Sequence, residues 1–279
     1  MPAISSPRAR DDRTPIRSLQ LREETRIAAD AVARGLHMAG DALGTTPVAH
    51  KGGQRDVVTP TDIAVEDEIR AIVGEAFGWP VIGEERGGVM PTNGSPYWLV
   101  DPICGTRNFA SQAPLWCVNL ALVEDGEVTV AAVGDASTGE ILAAQQGKGA
   151  WAVDGGQARR LAASDEARVI VVEPGKAVGA RRDHAARFTA AMISADRFDV
   201  CAFGTTLAAA YVATGRVAGY ALFHAPAVHT SAGGLVASEA GAIVSDLGGR
   251  PWSVDCDSVV IAATPELHRD LVELAARAR

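Results

Sequence analysis

The stretch Trp98-Leu-Val-Asp-Pro-Ile-Cys-Gly-Thr-Arg-Asn-Phe109 decides how this chain is read. Its first residues form an apolar run, as a buried strand requires, and the run ends on an acid, Asp101. Pro102 and Gly105 then force a sharp turn that sets a backbone carbonyl beside the carboxylate. Two segments upstream share this character: Asp56-Val-Val-Thr-Pro-Thr-Asp62 and Gly83-Glu-Glu85. Each places acids at a strand end or a helix start. Carboxylates gathered with few cationic neighbours suit a hard divalent cation, which takes oxygen ligands. Taken singly, each segment is more often helix capping and solvated loop than a metal site.

Upstream, residues 1–17 are rich in Arg, Asp, Ser and Pro and are expected to form a flexible tail. Apolar residues recur at helical spacing from Ser18 to Leu43, and again from Asp62 to Phe77 behind a capping Thr59 or Thr61. Downstream, the segments 119–123, 128–134 and 140–145 read as a meander of strands separated by turns. After about residue 155 strands and helices alternate, which argues for an α/β second half. The expected division is an α+β region over 18–155 and an α/β region over 156–279, with a cleft between them.

Composition narrows the function. With 26 basic and 34 acidic residues the net charge is −8, which disfavours a nucleic-acid partner. The longest stretch without Asp, Glu, Lys or Arg, Val217–Ser238, holds Pro226, two histidines and a Gly pair, and is a poor membrane span. The four cysteines are widely spaced and form no CxxC pair, so neither a zinc ribbon nor a disulfide scaffold is expected. With no apolar leader at its start, the chain is expected to be a reduced, cytoplasmic protein.

Taken together, the acidic segments resemble the inositol monophosphatase family of Mg²⁺-dependent, lithium-sensitive phosphatases. The family pattern W-x-x-D-P-I-D-G-T-x-N-F is met by WLVDPICGTRNF with one departure. The pattern D-x-V-T-x-x-D is met by Asp56 to Asp62, and G-E-E by Gly83 to Glu85. Downstream, ILAAQQGKGAWAVDG and VHTSAGGLVASEAGA resemble two further family segments, so the likeness runs from about residue 20 to the end. It implies an αβαβα sandwich, a homodimer, and hydrolysis of a small phosphorylated metabolite by metal-activated water. Carried over residue by residue, Glu84, Asp101 and the carbonyl of Ile103 would hold a first Mg²⁺. Asp62 and Thr106 would orient the attacking water, with Lys51 near the metal cluster. Gly105 and Thr106 would offer backbone N–H groups to the phosphate.

The chain departs from the family at the second metal. Two of its acids are replaced, by Cys104 and His229. Thiol and imidazole favour Zn²⁺ or another transition metal over Mg²⁺. The altered site is therefore expected to hold such an ion or none. In the inositol-processing members a glutamate contacts the polyol; here that position is Leu222, followed by Phe223, so the substrate wall is less polar. Three functions stay open: a variant phosphatase, a non-hydrolytic enzyme using the same cleft, and a phosphate- or metabolite-binding protein.

Overall fold

A computed structural model describes residues 14–15, 18–50, 57–92 and 94–279. Lys51 and Asp56, and most of the expected tail, lie outside the described residues. In chain order the elements are β1 (Thr14–Pro15), α1 (Glu23–Asp41), β2 (Ala49–His50), β3 (Val57–Val58), α2 (Pro60–Phe77), β4 (Val81–Gly83), β5 (Tyr97–Cys104) and α3 (Thr106–Ala110). Then follow β6 (Cys117–Glu124), β7 (Glu127–Asp135), β8 (Ile141–Gln145), β9 (Gly149–Asp154), β10 (Gln157–Arg160), β11 (Val169–Glu173) and α4 (Gly179–Ala195). The chain closes with β12 (Asp199–Cys201), α5 (Leu207–Ala213), β13 (Gly219–Leu222), α6 (Ala227–Glu239), β14 (Ile243–Ser245), β15 (Val259–Ala262) and α7 (Pro265–Arg277).

Two sheets organise these elements. The first has eight strands in the order β1-β10-β9-β8-β7-β6-β5-β4, antiparallel except where β4 meets β5. The second has five strands in the order β12-β11-β13-β15-β14, parallel across β12, β11 and β13. Helices α1 and α2 cover the outer face of the first sheet, α5 and α6 fill the space between the sheets, and α4 and α7 cover the outer face of the second. The result is the expected αβαβα sandwich.

Strand β6 shows why the meander residues are apolar on both sides. Val118, Leu120 and Leu122 pack under α1 and α2, while Cys117, Ala121 and Val123 face the middle layer. Successive side chains on a strand point to opposite faces, and here both faces are buried. Helix α1 keeps one small-residue face, Ala28, Ala31, Val32, Gly35 and Ala39, against the sheet and α2. In α2 the buried positions Val65, Ile69 and Val73 recur every fourth residue, one face of a helix.

Two boundaries differ from expectation. Thr14 and Pro15, within the expected tail, pair with Ala158 and Gln157 as an edge strand. The first sheet continues through β10, so the change of pattern near residue 155 precedes the end of that sheet. Isolated two-residue strands and strands that follow tight glycine turns leave too short a pattern to read. Among the described residues no helix is long and apolar enough to cross a membrane.

Candidate active site

An irregularity in β5 builds the site. Asp101 pairs with Asn119 of β6, and the next pair is Cys104 with Cys117. Three steps along β5 therefore match two along β6, a bulge that falls at Pro102-Ile103. In a regular strand, residues three apart face opposite ways. The bulge instead turns both Asp101 and Cys104 toward the middle layer, where helix α6 brings His229. Ile103 points the other way, into the core under α1 and α2, which leaves its carbonyl at the turn. Gly105 follows with φ of 97°, and a Cβ there would meet Thr205 at 3.0 Å and the Leu115 carbonyl at 3.1 Å. Only glycine fits so close an approach in that conformation.

The Asp62 corner rests on a helix cap. The Thr59 side chain accepts the Asp62 N–H at 3.4 Å, while Asp62 Oδ2 accepts the Thr59 N–H at 2.8 Å. This reciprocal capping box fixes Asp62 at the start of α2. Thr106 Oγ1 lies 3.2 Å from Asp62 Oδ1 and 3.0 Å from the Ile103 carbonyl oxygen. Burial raises the Asp62 carboxyl to about 6, against the pull of its hydrogen bonds to Thr59 and Thr106. Asp62 is therefore a stronger base than an ordinary carboxylate, yet still ionised at neutral pH.

Glu84 is positioned by a residue outside the motifs. Glu66 of α2 is fully buried and accepts the N–H groups of Glu85 at 2.7 Å and Arg86 at 3.0 Å. Its carboxylate occupies the space beside Gly83, where an added Cβ would come within 2.0 Å of Glu66 Oε1. Gly83 is thus required so that Glu66 can hold the Glu84 turn. Arg70, one helical turn along, pairs with Glu66 at 2.8 Å and offsets its buried charge.

The Asp101 corner has different chemistry. His229 Nδ1 donates to Asp101 Oδ2 at 2.6 Å, and His229 Nε2 lies 3.9 Å from Glu84 Oε1. Burial opposes the imidazolium, but Asp101, Cys104 and Glu84 outweigh it and hold His229 well above its usual pKa. Cys104 is pushed the other way from reactivity: a hydrogen bond with Cys117, burial and the Asp101 charge raise its thiol well above the ordinary range. Its Sγ lies 2.9 Å from Thr206 Oγ1 and accepts the Thr206 N–H at 3.2 Å. Asp101, Cys104 and His229 each offer a ligand atom, all within 4.8 Å of one another. Asp101 Oδ1 is buried and has no hydrogen-bond partner among the described residues.

These corners open into one cleft of about 810 Å³ between the sheets. Glu84, Cys104, Gly105, Thr106, His229 and Leu222 all line it. Phe223, expected beside Leu222 on the substrate wall, is corrected by the structure. It is fully buried on the outer face of the second sheet, against the rings of His184 and Phe188. Neighbours on an extended chain point to opposite faces, so Leu222 and Phe223 cannot share a wall. Trp116 packs edge-on against Phe109 in the core beneath α1 and α2.

Several residues of the cleft, Thr205, Glu173 and Lys176, are absent from the motifs, and the motif residue Asn108 helps to hold the first of them in place. Asn108 donates to the carbonyls of Leu115 and Phe203, each at 2.6 Å, and Thr205 donates to the Cys104 carbonyl at 2.9 Å. These bonds fasten the 203–206 loop of the second half to the turn of the first. Glu173 and Lys176 reach the cleft from the end of β11, and Lys176 pairs with Glu84 at 3.5 Å. Glu173 had a signal of its own: like Asp101, it is an acid ending an apolar strand.

Known proteins share this fold. The sequence profile of the inositol monophosphatase family matches residues 20–279. The chain is 32% identical over 224 residues to an inositol-1-monophosphatase, ImpA, of Mycolicibacterium smegmatis, covering 78% of this chain and 80% of that one. It is 40% identical over 114 residues to a histidinol-phosphatase of Mycobacterium tuberculosis, covering 40% of this chain and 44% of that one. A solved Thermotoga maritima IMPase superposes with a TM-score of 0.81 at 24% identity, covering 92% of this chain and 98% of that one. The layered fold and a profile match over nearly the whole length agree: this chain belongs to the inositol monophosphatase family.

Proposed function

We propose that the cleft hydrolyses a phosphomonoester of a small metabolite, using water activated by a bound metal ion together with Asp62 and Thr106. One observation carries this function above the others. The Asp62–Thr106 pair, 3.2 Å apart, lies beside the Ile103 carbonyl, and two residues before it Asp101 carries a buried carboxylate oxygen with no hydrogen-bond partner among the described residues. A buried, bare oxygen on Asp101 is costly unless something positive meets it. Glu84, Asp101 and the Ile103 carbonyl are hard oxygen donors and suit Mg²⁺, the ion on which the family depends. A cation held there supplies Lewis-acid stabilisation of the charge that develops on phosphoryl oxygens.

The residues of this chain do the rest. Donating its proton to Asp62, Thr106 Oγ1 keeps lone pairs that accept a hydrogen bond from water. Asp62, a raised but ionised carboxylate, is the sink for that proton. Gly105 and Thr106 line the cleft where backbone donors would meet phosphate oxygens. Lys51 has the matching family position, outside the described residues.

The second metal position does not suit Mg²⁺, because Cys104 and His229 replace hard oxygen ligands. Their spacing with Asp101 suits a softer ion such as Zn²⁺. Against this, the closed His229–Asp101 ion pair already places a positive charge at that corner. That pair favours a second function, a non-hydrolytic reaction or metabolite binding in the same cleft. The substrate remains a small molecule in either case. Family likeness supports a homodimer, and the cysteine pattern supports a cytoplasmic location.

The test is phosphate release from sugar, polyol, nucleotide and amino-alcohol phosphates, each with Mg²⁺, Mn²⁺, Zn²⁺ or chelator. Ion-dependent release is the expected result. Folded protein that releases no phosphate under any condition would exclude hydrolysis and leave the second function.

A further inference from the structure

The floor of the cleft carries a second polar feature, on the second sheet. Glu173 ends β11 and is the Cα partner of Leu222 on β13, while Tyr220 stands opposite Val171 two residues earlier. Glu173, Leu222 and Tyr220 therefore present side chains on one face of the sheet, and all three line the cleft. Glu173 is 8% exposed. Its Oε1 accepts the N–H groups of Phe203 at 2.5 Å and Gly204 at 2.6 Å. Among the described residues no hydrogen bond engages Oε2 and no cation pairs with the carboxylate. The hydroxyl of Tyr220, fully buried beside it, also has no partner among the described residues.

A buried carboxylate without a counter-charge is unfavourable, and desolvation here raises the Glu173 carboxyl despite its two N–H bonds. A single carboxylate and a phenol are too few donors for a divalent cation. They match one ammonium group, which has three protons to share. Leu222 alongside offers an apolar surface for a short carbon chain. Three basic residues also line the cleft, Arg107, Lys176 and Arg182, but Lys176 is half exposed and paired with Glu84, and none of the three is ion-paired with Glu173. We propose that Glu173, with Tyr220 beside it, is a specificity subsite for a protonated amine on the organic part of a phosphorylated substrate. This rests on the cleft being a phosphomonoesterase site.

The test compares kcat/KM for an amino-alcohol phosphate and the matched diol monophosphate, in which hydroxyl replaces amine. It is run on the wild-type protein and on Glu173→Gln and Glu173→Asp. Glutamine keeps a carbonyl oxygen for Phe203 and Gly204 but removes the charge. Wild type should favour the amine by about tenfold or more, the size of a lost charged hydrogen bond. Glu173→Gln should bring that preference to about one, chiefly through KM, and Glu173→Asp should restore part of it. Equal use of both substrates by wild type overturns the proposal. So does a Gln variant that keeps the preference or slows both substrates alike, which is the signature of a merely structural role. If neither substrate releases phosphate, hydrolysis itself has failed, and calorimetric binding of the same two compounds decides. A tenfold weaker Kd for the amine in Glu173→Gln then supports the subsite, and unchanged affinity overturns it.

Discussion

The Asp62 corner and the Asp101–His229 corner lie in one cleft and share the turn after β5, yet their chemistry is opposite. At the first, Thr59, Asp62, Thr106 and the Ile103 carbonyl form a chain of oxygen atoms held by a helix cap. Its net character is acidic, and a hard cation complements it. At the second, a thiol and an imidazole stand around a carboxylate, and Asp101 and Glu84 favour the charged form of the imidazole against its burial. One bulge serves both, because it turns Asp101 and Cys104 inward and leaves the Ile103 carbonyl toward Thr106. One backbone device thus places two corners of opposite chemistry side by side.

The largest effect that would break this contrast is loss of the shared acid. Glu84→Gln or Asp101→Asn should lower phosphate release by about a thousandfold or more, as expected when several kcal/mol of charge stabilisation disappear. If Asp101→Asn retains most of the activity, the two corners are not linked through it. Removing the base should come close behind: Asp62→Asn is expected to reduce kcat by about 10² to 10⁴. Next is the exchange itself. Cys104→Asp combined with His229→Asp should lower the Mg²⁺ concentration giving half-maximal turnover by about tenfold, because carboxylates suit that ion better. An unchanged Mg²⁺ requirement would show that the second corner never binds metal in either form.

A stability measurement sharpens the same comparison. The Asp62 carboxyl is raised from 3.8 to about 6 in the folded protein. The folded state therefore binds a proton that the unfolded chain has already released. Its contribution is full below about pH 4 and is lost as pH rises through about 6, a change of about 3 kcal/mol. Denaturant unfolding of the chelator-treated protein should show this decline, and Asp62→Asn should remove it. The smallest expected effect is that of Thr59→Ala, about 1 kcal/mol from the lost cap. A drop in kcat beyond that cost in stability would show that the cap also orients Asp62.

Much of the fold was legible because it depends on local pattern. The period of α1 and α2 and the apolar runs of β5 to β8 and β11 need no partner to be recognised. Strands β1 and β10 were not legible, since neither Thr14–Pro15 nor Gln157–Arg160 carries an apolar run. Asp62, Glu84, Asp101 and Thr106, proposed to serve a metal ion and the attacking water, stand in recognisable motifs, and Cys104 and His229 stand where the resemblance expects acids. Glu66 was not legible, because an acid on a helix is ordinarily solvated, and only the packing against Gly83 shows it buried. The placement of Phe223 was misjudged for a related reason: adjacency in sequence on a strand means opposite faces in space.

The sequence by itself therefore determined the element types, the family likeness, and which donor atoms are present at each corner. These follow from residue chemistry and spacing along one chain. Tertiary structure decided which of those atoms meet. The bulge at Pro102-Ile103 brings Asp101 and Cys104 to one face, helix α6 carries His229 to Asp101 across 128 positions of sequence, and β11 sets Glu173 beside Tyr220 on the floor. Such meetings depend on strand register and on which face each layer buries, and these are settled only when the sheets and helices pack together.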